Sequence, residues 1–206
     1  MKNFSNLEQW IKYKYNKQIF DNHIATITKL PTGENDVYIN FEKENTKDGW
    51  MDFIYCNGYL TIQGDYGNAS FCWYNNKNTI EILANFAENL GYFLSKLQSA
   101  EKSNISGAFL QDFDSDECIK EVKNYFKENE LTISEDWEDN WESHTNEHIE
   151  WIVFCRENGA DFFQDEDYWE YAFDFGIYTT GRAYLYAYGL IKAVEYLKQS
   201  EKISEE

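Results

Sequence analysis

Proline and positive charge are what this chain has least of. One proline, Pro31, stands among 206 residues, and 18 Lys and Arg face 37 Asp and Glu, for a net charge of −19. So negative a balance argues against nucleic acid or an anionic membrane as the direct partner, because each phosphate contact requires a cation. A basic protein is the partner such a surface favours. No apolar run approaches the ~20 residues of a membrane span, and no basic-then-apolar leader opens the sequence, so the expected location is the cytoplasm. Cys56, Cys72, Cys118 and Cys155 form no C-x-x-C pair and no dense framework, which predicts reduced, mostly packed thiols rather than a zinc site. Gly-rich phosphate loops and nucleophile motifs around a Cys are also missing, and carboxylate pairs are too frequent to single out glycosidase chemistry. The expectation is a protein that is not an enzyme and carries no cofactor.

Aromatic residues are abundant instead, at 18% of the chain, and the acids are concentrated. Between Asp112 and Asp174 stand 21 acids against Lys120, Lys123, Lys127 and Arg156, so this stretch carries −17 of the −19. Disordered acidic chains are poor in aromatics. Here the two are interleaved, as in Glu135-Asp136-Trp137-Glu138-Asp139-Asn140-Trp141-Glu142, and the stretch is read as folded.

Periodicity predicts the elements. Leu7, Trp10, Ile11 and Tyr15 follow Ser5, a candidate cap, at helical spacing. Alternation at Ile24–Thr28, Val37–Phe41, Trp50–Cys56, Tyr59–Gln63 and Ala69–Tyr74 predicts about five antiparallel strands, with Asn57-Gly58 as a tight hairpin turn. From Thr79 to Leu97 the spacing becomes three and four, predicting one helix of roughly five turns that covers a face of the sheet. Asp114 with Glu117 and Thr132 with Glu135 read as capping boxes of two further helices, the second running toward Asn158-Gly159 with Ser143–Asn146 as a weak point. Asp165–Phe175 reads as a short acidic helix. A last helix contains Ala187, Leu190, Ile191, Val194 and Leu197. The expected fold is one α+β domain over 1–206, with an N-terminal sheet and its packing helix in 1–111 and acidic and C-terminal helices in 112–206.

Gly64-Asp65-Tyr66-Gly67-Asn68-Ala69-Ser70-Phe71-Cys72-Trp73, then Asn89-Leu90-Gly91-Tyr92-Phe93-Leu94-Ser95-Lys96-Leu97, and finally Gly189-Leu190-Ile191-Lys192-Ala193, resemble motifs of uncharacterised phage and prophage proteins. Those carry a Gly-Asp-Tyr/Trp-Gly hairpin before an aromatic strand and a Tyr-Phe-x-x-Lys helix. The resemblance implies a small accessory gene of a phage or mobile element, a class that includes inhibitors of host defence such as anti-CRISPR proteins. Turn chemistry explains the same residues: Gly64 and Gly67 permit turn dihedrals, Asp65 bonds the turn, and Trp73 packs between sheet and helix.

His144-Thr145-Asn146-Glu147-His148 matches the H-x-x-E-H pattern of inverted zinc peptidases, which also need a downstream Glu; Glu195 is the one candidate. In so Glu-rich a stretch the match arises easily by accident. Both histidines fall on the face of Trp137, Trp141, Ile152 and Cys155, where they read as half-buried packing residues, and no metal is expected.

Stepping the expected helix by ~100° per residue puts Glu135, Asp139, Glu142, Asn146, Glu150 and Glu157 on its outer face, for the most part three or four residues and so ~5–6 Å apart. That resembles the phosphate step of one nucleic-acid strand. Asp165, Glu166, Asp167 and Glu170 would add a second row, although acids also suit helix N-terminal turns. The partner expected is a basic nucleic-acid-binding host protein, with a CRISPR effector as the example, and neither nucleic acid nor membrane directly; a homodimer is compatible. The alternative is a binding protein or scaffold that anchors through exposed aromatics, its charge serving solubility.

Overall fold

The computed structural model describes residues 7–15, 19–100, 111–138, 140–165 and 167–204. In chain order the elements are α1 (Leu7–Tyr15), β1 (His23–Lys29), β2 (Val37–Lys43), β3 (Met51–Cys56), β4 (Tyr59–Gly64), β5 (Ala69–Cys72), α2 (Ile80–Ala87), α3 (Leu90–Leu94) and β6 (Leu97–Ala100). They continue with β7 (Gln111–Phe113), α4 (Ser115–Glu128), α5 (Glu135–Glu138), a 3-10 turn (Trp141–Thr145), α6 (His148–Phe163), α7 (Tyr168–Ala172), β8 (Ile177–Thr179) and α8 (Gly181–Ser204). The fold is α+β. Two compact units result: Lys2–Leu110 with Thr179–Glu206, and Gln111–Tyr178. The last helix, α8, groups with the sheet, and the acidic segment is inserted in sequence between the sheet and its covering helix.

The sheet unit is a six-stranded antiparallel meander in the order β1 to β6. Asn57 and Gly58, at φ 51° and 84°, form the tight turn in which Cys56 pairs with Tyr59, as expected from a dipeptide that tolerates two positive φ values. Val37, Ile39, Phe41, Met51, Phe53, Tyr55, Leu60 and Ile62 alternate onto one buried face. The expected five-turn helix over 79–97 is not one helix. That segment breaks into α2 and α3, where the Asn89 side chain caps α3 by accepting from Tyr92 N, and Leu97 opens the sixth strand. Its residues still pack on the sheet's core, Phe93 of α3 meeting Phe71 of β5 at 4.4 Å, while helix α8 lies over β1 and β2 and α2 packs against α8. Gly189 explains how closely α8 approaches, because a Cβ there would collide with Met51 and touch Phe53.

The Gly64–Asn68 turn is tied to α8. Tyr186 Oη donates to the Tyr66 carbonyl at 2.9 Å, and Arg182 donates from Nη2 to the Asn68 carbonyl at 3.0 Å and from Nε to Tyr186 Oη at 2.9 Å. Gly67, at φ 87°, leaves the room the Arg182 guanidinium occupies. Asp65 bonds the neighbouring loop, accepting from Gly49 N at 2.6 Å. Trp73 packs as expected, among Phe71, Phe86 and Phe93.

The acidic unit has its own core, in which Cys118, Val122, Tyr125, Phe126, Trp141, Trp151, Phe154, Cys155, Phe162 and Phe163 are buried. Burial pushes the Cys118 thiol up, and the Cys155 thiol up to about 12, so both are packing groups. Asp114 caps α4 as expected, accepting from Glu117 N at 3.1 Å, whereas the Glu117 side chain turns to Lys120. Two expectations differ. The Thr132/Glu135 helix starts at Glu135 and lasts four residues. The chain then breaks through the 3-10 turn, which overlaps the expected weak point Ser143–Asn146. Asn158-Gly159 does not end α6, which runs on to Phe163 with Gln164 left-handed at φ 55°. Gly159 is there because Trp169 packs where its Cβ would be. Ser5 lies outside the described residues.

Tyr186→Phe is expected to destabilise the sheet unit by about 1–2 kcal/mol, since it removes the hydrogen bond to the Tyr66 carbonyl and the acceptor of Arg182 Nε; urea unfolding measures this. A second expectation concerns His23, whose Nε2 must carry the proton it gives the Gly49 carbonyl at 3.2 Å, leaving buried Nδ1 without a partner. Burial lowers its pKa, with Lys43 acting in the same direction and the hydrogen bond to Gly49 opposing. A base with a depressed folded pKa lends stability above its unfolded value, ~6.5, and loses it as pH falls through that value. The urea midpoint of the wild type should thus drop between about pH 7.5 and 5.5 more than that of His23→Gln.

Candidate functional site

The candidate surface is the exterior of the acidic unit, and its acids divide into two kinds. Several build the fold. Asp114 caps α4, Glu121 accepts from Gly176 N at 2.7 Å, and Asp112 takes the Phe113 N–H at 3.0 Å and the Tyr178 hydroxyl at 3.4 Å. Asp165 belongs with them, because its Oδ1 accepts from the N–H groups of Asp167 and Tyr168 and so starts α7. Glu142, expected as part of the outer row, is paired with Lys123 at 2.6 Å.

The remaining predicted residues are exposed. Glu135 stands at the start of α5, Glu150 and Glu157 on α6, Asp167 just before α7 and Glu170 within it. Among the described residues, no ion pair holds any of these five. Asp139 and Glu166 lie outside the described residues.

A continuous row of carboxylates is not what the fold makes of these positions. The expected helix is cut into α5, the 3-10 turn and α6, so Glu135, Glu142 and Glu150 sit on three different elements. Among the described residues of the row only Glu150 and Glu157 share a helix, seven residues and so ~10.5 Å of rise apart. The break has a visible cause. Thr145 is fully buried, with its hydroxyl giving to the Glu142 carbonyl at 2.8 Å and meeting the Ser115 hydroxyl at 3.0 Å. A side chain that bonds its own local backbone competes with the helix.

Sequence reasoning passed over the residues beside those acids. Ile149 is 61% exposed and Val153 43% exposed on the outer face of α6. With Ser143, His144, Asn146 and Glu150 they line a groove of about 440 Å³. An apolar pair four apart on a face otherwise expected to be charged is a signal the sequence does carry.

The two histidines are packing residues, as expected. His144 stacks on Phe154 at 4.9 Å, and His148 stacks on Phe113 at 5.3 Å while its Nε2 meets the Phe173 carbonyl at 2.9 Å. His144 lies in the 3-10 turn and His148 opens α6, so the pair is not presented one turn apart on one helix. No cluster of three or more His, Cys, Asp or Glu able to hold a metal occurs among the described residues. No described helix is long and apolar enough to cross a membrane.

The fold and surface together define an α+β protein whose acidic segment forms a compact unit with its own core. No family model, no curated protein and no solved structure matches the chain.

Adding a several-fold excess of zinc is expected to leave the melting temperature unchanged, because His148 already spends Nε2 on a backbone carbonyl. A zinc-dependent rise that His148→Gln abolishes would restore the peptidase reading.

Proposed function

We propose that this protein is a phage-encoded inhibitor of a host defence system, whose acidic unit competes with nucleic acid for a basic binding surface, that of a CRISPR effector being the fitting example. The observation that supports it most is the partition of charge between the units. The 21 acids and four cations counted from Asp112 to Asp174 give −17, and the rest of the chain has only −2. All of that stretch lies in the unit Gln111–Tyr178. Two of its cations, Lys120 and Lys123, are occupied by Glu117 and Glu142, and Arg156 leans over the Phe173 ring at 5.6 Å.

Because the carboxylates come from several short elements, the mimicry rests on a dense negative field rather than on phosphate-by-phosphate register. A field of this kind accelerates and strengthens association with a basic groove and weakens steeply as salt rises. A second reading, anchoring through exposed aromatics, draws on Tyr74, which is 82% exposed and sits at φ 51°, a conformation uncommon for a bulky residue.

The test is capture from a bacterial lysate at about 0.05 and 0.5 M salt, with duplex DNA as competitor. A basic nucleic-acid-binding protein should be retained at low salt, released at high salt and displaced by DNA. Glu135→Lys/Glu150→Lys/Glu157→Lys should lose it by tenfold or more while melting like the wild type, all three positions being exposed. Glu142 is left alone because its charge is already paired. Unchanged capture by the triple variant would sink charge mimicry, and salt-tolerant capture lost in Tyr74→Ser would favour the aromatic anchor.

A further inference from the structure

The groove on α6 has a chemistry that a featureless polyanion lacks. Stepping ~100° per residue, Ile149, Val153, Arg156 and Ala160 form one stripe along the helix, with Arg156 the single charge in it, and Glu150, Glu157 and Asp161 form the stripe beside it. All seven are exposed. The inner face of the same helix is already used, with Trp151, Phe154, Cys155, Phe162 and Phe163 in the core. Ile149 and Val153 are therefore apolar residues that folding of this chain leaves uncovered.

The floor and wall of the groove are fixed. His144 lies flat on the buried ring of Phe154, and Thr145 and Glu142 tie the 3-10 turn to Ser115 and Lys123 of α4. The single Lys or Arg of α6, Arg156, is turned onto Phe173. A site held this way loses little freedom when it is filled.

We propose that this groove receives apolar side chains of a cationic amphipathic helix belonging to the partner. Paired helices of this type bury an apolar seam and flank it with opposite charges, and docking into a groove uses apolar anchors three, four and seven residues apart. A wholly apolar helix would desolvate Glu150 and Glu157 without compensation. A purely basic strand would leave Ile149 and Val153 in water. A second copy of this chain is disfavoured by its own charge of −19. The inference rests on the acidic-competitor reading and names what part of the partner that surface meets.

Two synthetic helical peptides of equal length and equal Lys content test it, one with Leu at anchor positions i, i+4 and i+7 and one with Gln there. Affinity for the full chain is measured by fluorescence anisotropy. The Leu peptide should bind about tenfold or more tightly, as expected for covering one or two aliphatic side chains. That preference should shrink to about twofold in Ile149→Ser/Val153→Ser, with the salt dependence of both peptides retained and melting unchanged. Equal binding of the two peptides to the wild type overturns the groove and leaves the charge reading standing. Absence of binding by either overturns both. A Leu preference that survives the double Ser variant moves the apolar contact elsewhere and overturns the groove. A concentration-dependent dimer dissolved by the same variant gives the groove to a second copy and overturns the cationic occupant.

Discussion

Everything in the acidic unit depends on aromatic burial outweighing charge repulsion. Like charges a helical turn apart destabilise by about 0.2–0.5 kcal/mol a pair. Fully burying one large apolar side chain stabilises by about 1.5–3 kcal/mol. With Trp141, Trp151, Phe154, Phe162 and Phe163 all buried, a small number of rings offsets a much larger number of surface carboxylates. Polar edges in the same core are bonded, Trp151 Nε1 giving to the Ala172 carbonyl at 2.6 Å and Tyr125 Oη to that of Phe163 at 3.0 Å. That is why high aromatic content and high negative charge occur in the same stretch: the first makes the second tolerable.

The sheet unit solves a different problem, since a meander of six strands needs something to cover its apolar face. Its cover, α8, comes from the far end of the sequence, after the acidic insertion. The Gly-Asp-Tyr-Gly turn and the glycine of Gly189-Leu190-Ile191-Lys192-Ala193 then have one explanation. Gly67 leaves room for Arg182, Tyr186 fastens the turn, and Gly189 lets the helix settle on Met51 and Phe53. Two motifs more than a hundred residues apart are halves of one contact.

On the acidic surface, position in the fold separates carboxylates that build from carboxylates that are left over. Asp114, Glu121 and Asp165 satisfy backbone N–H groups at element starts and turns, where an acid is locally favoured. Glu150 and Glu157 have no such employment among the described residues, and beside them lie Ile149 and Val153, apolar and uncovered. Charge alone gives reach and rate. In protein recognition generally, apolar contact beside charge is what discriminates between partners of like charge.

Local chemistry carried much of this in the sequence. Period-two alternation located five of the strands, Asn57-Gly58 located a turn, Asp114 located a helix start, and composition fixed the charge and the aromatic core that goes with it. The sequence could not reveal where periodicity stops being obeyed. Leu97 continues a helical spacing yet pairs with Phe71 in a sixth strand, because the unpaired edge of β5 offers it hydrogen bonds. Gly159 reads as a helix stop yet lies inside α6, because Trp169 needs the space of its missing side chain. The row from Glu135 to Glu157 exists only on an unbroken helix, and buried Thr145, bonded to its own turn and to Ser115, breaks it. Composition and spacing are properties of neighbours in sequence and were legible there; which carboxylates are spent on the backbone, and which stand free beside an apolar stripe, was decided by contacts between residues far apart in the chain.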